Sequence, residues 1–175
     1  MKQVETIEDL EAYKKIECAC EVCRKFCEFR PCWGTPEEIK RLIESGFGGR
    51  LMLDWFSDET PAGRDILILT PAIKGAEGQP APFSPLGKCT FLKNGLCEIN
   101  NIKPIEGRAS SHLMRNELNK CHVILAKCWE TAEAQALIEY WRKVVLCNGL
   151  PSGYGGNLPP GFEALKLLKD LSKLI

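Results

Sequence analysis

Ten cysteines in 175 residues are the part of this sequence most able to do chemistry. Cys18, Cys20, Cys23, Cys27 and Cys32 crowd into one N-terminal stretch, and Cys89 and Cys97 flank an Asn94-Gly95 pair. Thiolates are the ligands that zinc and iron–sulfur clusters take, usually four to a centre. The Cys20-x-x-Cys23 step is the strongest local element, because a two-residue gap lets two thiolates reach one centre. The remaining cysteines read differently. Leu118, Cys121, Leu125 and Cys128 fall on a three-four spaced stripe, which is the buried face of a helix. Cys147 ends a similar stripe, so these three are expected to pack as small hydrophobes.

Helix geometry limits how the N-terminal thiols can meet. Cys20 and Cys27 would stand about 10.5 Å apart along a regular helix axis. Two sulfurs on one zinc, with Zn–S near 2.3 Å, lie only about 4 Å apart. Either the helix breaks within 18–32, or Cys27 does not share a zinc with Cys20. The stretch around Asn94-Gly95 allows two registers. A two-residue turn pairs Leu92 with Cys97 and sets Cys89 and Cys97 on opposite faces. A three-residue Lys93-Asn94-Gly95 loop pairs Phe91 with Cys97 and brings both thiols to one face, within roughly 8 Å. A shared metal site therefore calls for the three-residue form.

Positioning elements follow from periodicity and punctuation. Thr6 with Asp9 marks an imperfect helix start, and the apolar face running through Cys20, Cys23 and Cys27 extends it as far as Phe29, before Pro31. Thr35-Pro36-Glu37-Glu38 carries a Thr N-cap, Pro at the first helical position and Glu at the third, and Gly46 closes that helix. A short helix is expected around Arg50 to Phe56, and a buried strand from Asp65 to Thr70. Residues 71–88 read as an ordered loop and Lys88 to Ile99 as a hairpin. Helices are expected over 111–128 and about 132–147, then a Gly/Pro loop over 148–161 and a last helix opened by Pro160. Trp33, Trp55, Trp129 and Trp141 read as core or site walls.

Bulk composition excludes several classes. Twenty-three basic and 23 acidic residues cancel, and the Lys and Arg are scattered, so nothing favours nucleic acid. No apolar run approaches the roughly 20 residues that a bilayer span needs. The polar, acidic start Met1-Lys2-Gln3-Val4-Glu5 lacks an export signal. A cytoplasmic chain follows, and in a reducing compartment clustered cysteines bind metal or do redox work rather than form disulfides. Gly48-Gly49 and Gly153-x-Gly155-Gly156 lack the Lys-Ser/Thr ending of a phosphate loop and read as turns. Ser110-Ser111-His112 carries no triad weight, since triads are set by geometry. His112 and His122 read as hydrogen-bonded helix residues rather than ligands.

The cysteine segments resemble the YkgJ-type family of zinc- or iron-chelating cysteine-cluster proteins. That family pairs an N-terminal CxxCxxCC cluster with a later C-x-F-L…G-x-C-x-I stretch and a P-x-x-C-R motif. Cys20, Cys23 and Cys27 match the cluster with one extra residue before Cys27, and the adjacent Cys-Cys pair is absent. Cys89-Thr90-Phe91-Leu92 and Gly95-Leu96-Cys97-Glu98-Ile99 match the second stretch. Pro104-Ile105-Glu106-Gly107-Arg108 matches the third, except that Gly107 stands where the family has cysteine; His112, Cys32 and Cys18 are open as replacements. The resemblance covers about residues 18–108 and implies metal binding, by zinc or iron.

Together these readings give one domain over 1–175, with a cysteine-cluster part over 1–108 and a helical part over 109–175. The fold class is α+β, mainly α-helical, with a Cys-rich N-terminal segment and a small β-hairpin enclosing a metal centre beside C-terminal helices. The expected ligands are Cys20, Cys23, Cys27, Cys32, Cys89 and Cys97, holding a [4Fe-4S] cluster or Zn2+. The cluster would serve electron transfer or a partner enzyme, and the chain would not be an enzyme by itself. A structural zinc protein-interaction module is the first alternative. A thiol oxidoreductase using Cys20 and Cys23 is the second; the helix expected before that pair, where such enzymes have a strand, counts against it.

Overall fold

The computed structural model describes residues 5–12, 21–57, 65–80, 86–109 and 115–146. Cys18, Cys20, His112, Cys147, the 148–161 loop and the Pro160 helix lie outside these residues. In chain order the elements are α1 (Ile7–Glu11), α2 (Glu21–Phe29), α3 (Pro36–Leu42), β1 (Leu51–Ser57), β2 (Asp65–Pro71), β3 (Leu92–Lys93), β4 (Leu96–Cys97), α4 (Ile105–Ala109), α5 (Arg115–Cys128) and α6 (Ala132–Tyr140). The architecture is a mixed helical fold with two small two-stranded antiparallel sheets, β1–β2 and β3–β4. No helix among the described residues is long and apolar enough to cross a membrane.

Local chemistry explains several boundaries. Thr6 and Asp9 form a reciprocal capping box at α1, and Thr35 and Glu38 form another at α3, with Pro36 in its first turn. A π-helical turn, Ile43–Phe47, extends α3, and Gly46 within it, at φ +86°, leaves helical geometry where the sequence predicts the stop. α2 runs unbroken through Cys23 and Cys27, and the chain leaves the helix at Arg30 and Pro31. Among the described residues the helix thus ends between Cys27 and Cys32, and the 18–20 part of the stretch lies outside them. α5 and α6 match the expected C-terminal helices, and a π-helical turn over Trp141–Leu146 prolongs α6.

Two expectations are corrected. The stretch from Arg50 to Phe56 is not a short helix: Leu51–Ser57 is a strand, paired antiparallel with β2 from Leu51 opposite Pro71 to Ser57 opposite Asp65. Leu51, Met52, Leu53 and Asp54 are all buried, so the strand is covered on both faces and shows no alternation. The hairpin adopts the two-residue register, Leu92 opposite Cys97 and Lys93 opposite Leu96, not the three-residue form that a shared site calls for. Asn94 at φ +49° and Gly95 at φ +77° form the left-handed pair that fits the twist of a two-residue hairpin.

One apolar core joins the elements. It contains Leu10 of α1, Ile39 and Leu42 of α3, Leu51 and Leu53 of β1, Ile68 and Leu69 of β2, Cys121 and Leu125 of α5, and Trp129 and Trp141. The indole N–H groups of Trp129 and Trp141 donate to the Gly34 and Gly48 carbonyls at 2.9 and 2.8 Å, so both rings are buried with their polar atom satisfied. Cys121 is fully buried in this core, as its stripe predicts, and Cys128 donates to the Ile124 carbonyl one turn earlier.

Candidate metal centre

The end of α2 organises the thiols. A helix leaves its last carbonyls without intrahelical partners. Here the segment before the hairpin supplies two donors: Gly87 N–H to the Phe29 carbonyl at 2.7 Å and Cys89 N–H to the Cys27 carbonyl at 2.8 Å. The second bond sets Cys89 beside Cys27, although 62 positions separate them (89 − 27). Cys89 is not on the short ladder. It bridges Ile73, and its own carbonyl accepts from Leu92 N–H at 3.1 Å across a turn. The opposite-face rule for regular strands therefore stops short of Cys89, and Cys97 remains its electrostatic neighbour.

Cys32 is fixed from both sides. The Thr70 hydroxyl of β2 donates to the Cys32 carbonyl at 3.1 Å, and the next residue, Trp33, donates its N–H to the Glu106 carboxylate and accepts from the Glu106 N–H of α4. The Cys32 sulfur lies against Gly107: a Cβ on Gly107 would stand 2.7 Å from it and 2.9 Å from Lys103 Cε. No side chain fits at 107 unless these atoms move. The sulfur of Cys32 thus fills the place that a side chain at position 107 would take.

Cys27, Cys32, Cys89 and Cys97 are free thiols that feel one another's charge. Burial pushes all four thiols up, Cys89 to about 12, and negative neighbours add to this. Lys103, itself buried, pulls Cys27, Cys32 and Cys97 back down. Four uncrosslinked sulfurs with one buried ammonium suit a soft cation, because a buried thiolate is costly until a positive charge meets it. Among the described residues, no three Cys, His, Asp or Glu side chains already stand in an arrangement that could hold a metal ion. Cys20 and the side chain of Cys23, two of the six expected donors, lie outside that description.

A polar network that the sequence did not reveal borders the thiols. His122 Nε2 of α5 meets Glu106 Oε1 at 2.5 Å, and the Trp33 N–H also donates to that carboxylate. Burial alone would raise the Glu106 carboxyl, but His122, Arg30 and the Trp33 N–H outweigh it and hold it below the usual range. The Trp33 indole donates to buried Asp54 at 2.8 Å, Arg30 approaches the same carboxylate at 3.4 Å, and the guanidinium sits 5.1 Å over the Trp33 ring. Burial raises the Asp54 carboxyl, and the Trp33 indole, the Trp55 N–H and Arg30 offset only part of that. His122 lies 16 positions from Glu106, and the only sequence signal was its place beside Cys121 on a helix.

The hairpin side is braced separately. Arg50 lies 4.0 Å over the Phe91 ring, donates to the Thr90 carbonyl at 2.7 Å and pairs with Glu98 at 2.8 Å. This holds the Cys89–Cys97 segment against the 3-10 turn Gly48–Arg50, consistent with reading Gly48-Gly49 as a turn. No protein-family model, curated protein or solved structure matches the chain.

Proposed function

We propose that this chain is a metal-binding protein with a cysteine-ligated centre, drawn from Cys20, Cys23, Cys27, Cys32, Cys89 and Cys97. The observation that supports the reading is that free cysteines from two distant stretches, 27–32 and 89–97, are neighbours, with the Cys89 N–H bonded to the Cys27 carbonyl and buried Lys103 nearby. The Cys32–Gly107 exchange adds to it. The motif resembling Pro-x-x-Cys-Arg lacks its cysteine, yet the space beside Gly107 holds the sulfur of Cys32. This packing supports Cys32 as a replacement, and the other two, His112 and Cys18, lie outside the described residues.

We favour a [4Fe-4S] cluster over zinc on the resemblance to a family that clusters its thiols; either centre takes four thiolates, so metal analysis decides between them. When bound, such a cluster supplies one-electron redox chemistry, and the role is electron transfer or support of a partner enzyme. The chain's own residues bury the sulfurs, and buried Lys103 would face the net negative charge of a thiolate-ligated centre. The test is to purify the full chain without oxygen and measure iron, acid-labile sulfide and zinc per chain with the visible spectrum. About four irons and four sulfides, with brown absorbance lost in Cys97→Ser, support the cluster. Colourless protein with zinc makes the centre structural and moves the search to protein partners. Protein isolated without metal that takes up neither iron nor zinc on reconstitution overturns the reading.

A further inference from the structure

A cavity of about 130 Å³ opens beside the thiols. Cys27 and Cys32 line one part of its wall, and His122 and Glu106 another. Four donor-bearing side chains thus come to one small space from α2, the segment after it, α4 and α5. The role given to the cysteines does not use the imidazole. Its environment is unusual for a residue that merely tethers a helix. Glu106 is 4% exposed and takes Nε2 of the ring, while the Trp33 N–H holds the same carboxylate in place. The Trp33 ring packs on the imidazole at 4.7 Å between centroids, tilted by 42°. In the neutral ring with Nε2–H donated to this carboxylate, Nδ1 is the lone-pair nitrogen that a metal could take. Metal-ligating histidines are oriented in this way, by a carboxylate that fixes tautomer and ring plane and raises ligand basicity.

We propose that His122 is a nitrogen ligand of the same centre as Cys27 and Cys32, with Glu106 as its positioning residue. The proposal rests on the metal reading above and changes its donor set from all sulfur to mixed sulfur and nitrogen. Among the described residues the donors do not already form a metal-holding group, so binding would draw them together, in keeping with metal sites that form only as the metal enters. Mixed thiolate–imidazole sets are ordinary for zinc, as Cys3His and Cys2His2.

The test loads the full chain with Zn2+ alone and reads its ligands by X-ray absorption. The expected result is an imidazole shell at about 2.0–2.1 Å beside thiolates near 2.3 Å. His122→Gln should remove the nitrogen shell. Glu106→Gln should keep that shell and weaken Zn2+ binding roughly 10- to 100-fold. A purely structural His–Glu pair would leave the wild-type shell all sulfur, and that result overturns nitrogen ligation while the thiolate centre stands. Wild-type protein needs no variant to fold for this reading. A chain that takes up iron but no Zn2+ overturns the mixed sulfur and nitrogen zinc site and leaves the thiolate centre standing, and a chain that takes up neither metal overturns both proposals.

Discussion

Replacing Gly107 with alanine tests the packing around Cys32 without any assumption about metal. The added Cβ would stand 2.7 Å from the Cys32 sulfur, 2.9 Å from Lys103 Cε and 3.1 Å from Cys32 Cβ. Ordinary contact begins near 3.4 Å, so the sulfur must retreat by about 0.7 Å (3.4 − 2.7). Lys103 Cε is near the end of a flexible chain and yields more easily. Overpacking of this kind costs about 1–3 kcal/mol. Gly107 sits inside α4, where alanine gains about 1 kcal/mol of helix propensity over glycine. The net loss is then about 0–2 kcal/mol, too close to zero for the single variant to decide anything.

The decisive measurement is a double-mutant cycle with Cys32→Ala. Removing the sulfur removes the closest clash, so Gly107→Ala should cost about 1–2 kcal/mol less in the Cys32→Ala background than in the wild type. Urea unfolding of all four proteins, with chelator present and unchanged m values, gives the coupling directly. Additivity within about 0.5 kcal/mol would mean that the sulfur does not occupy the 107 side-chain space, and the exchange argument would fall.

Other predictions follow from single contacts. Glu38 accepts from Thr35 N–H and Ile105 N–H at 3.1 and 3.0 Å and pairs with Arg108, both side chains being 12% exposed. Glu38→Ala should therefore destabilise by about 3–4 kcal/mol in chemical unfolding, and a loss under about 1 kcal/mol would refute the shared cap. Glu106 has its carboxyl held below the unfolded value near 4.3, so its stabilisation is complete above that pH and is lost as pH falls through the lower folded value. The stability gap between wild type and Glu106→Gln at pH 6 should therefore shrink below about pH 4; a gap unchanged down to full acid unfolding contradicts the pairing. In metal-stripped native protein at pH 8, Cys89 should be roughly one part in ten thousand thiolate. Iodoacetamide mapped by mass spectrometry should spare Cys89 and fully buried Cys121, and labelling of Cys89 at the rate of unfolded chain would refute its burial.

Signals carried by neighbours in sequence were legible, and signals carried by tertiary partners were not. The Thr35–Glu38 box is visible because cap and partner lie three residues apart. The second use of Glu38, on Ile105 and Arg108, joins positions 67 and 70 apart and leaves no local trace. β1 was misread because Leu51, Met52 and Leu53 are all buried, which erases the period that separates strand from helix. Asn94-Gly95 announces the hairpin but leaves two registers open, and the one adopted is the two-residue form, not the one a shared site calls for. Cys121 was assigned correctly to the core from its stripe. His122 reads as a hydrogen-bonded helix residue and is one, but its partner, Glu106, comes from another helix and leaves no local trace.

The register also bears on how far a hairpin can specify a site. Two thiols on a regular ladder are tied by its pleat, so a one-residue slip sends one of them to the other face. Cys89 escapes that constraint by lying before the ladder, on a turn held to the α2 terminus through the Cys27 carbonyl. Its position is thus set by a helix end and by its bridge to Ile73, not by the strand it precedes. The same logic governs Cys32, which follows the helix break and is held by Thr70 and by the Trp33–Glu106 exchange. Cys27, Cys32 and Cys89 all depend on backbone groups that α2 leaves unpaired or on the segment that follows it. A perturbation of the α2 terminus should therefore disturb all three sulfurs together, whereas one at the Asn94-Gly95 turn acts first on Cys97.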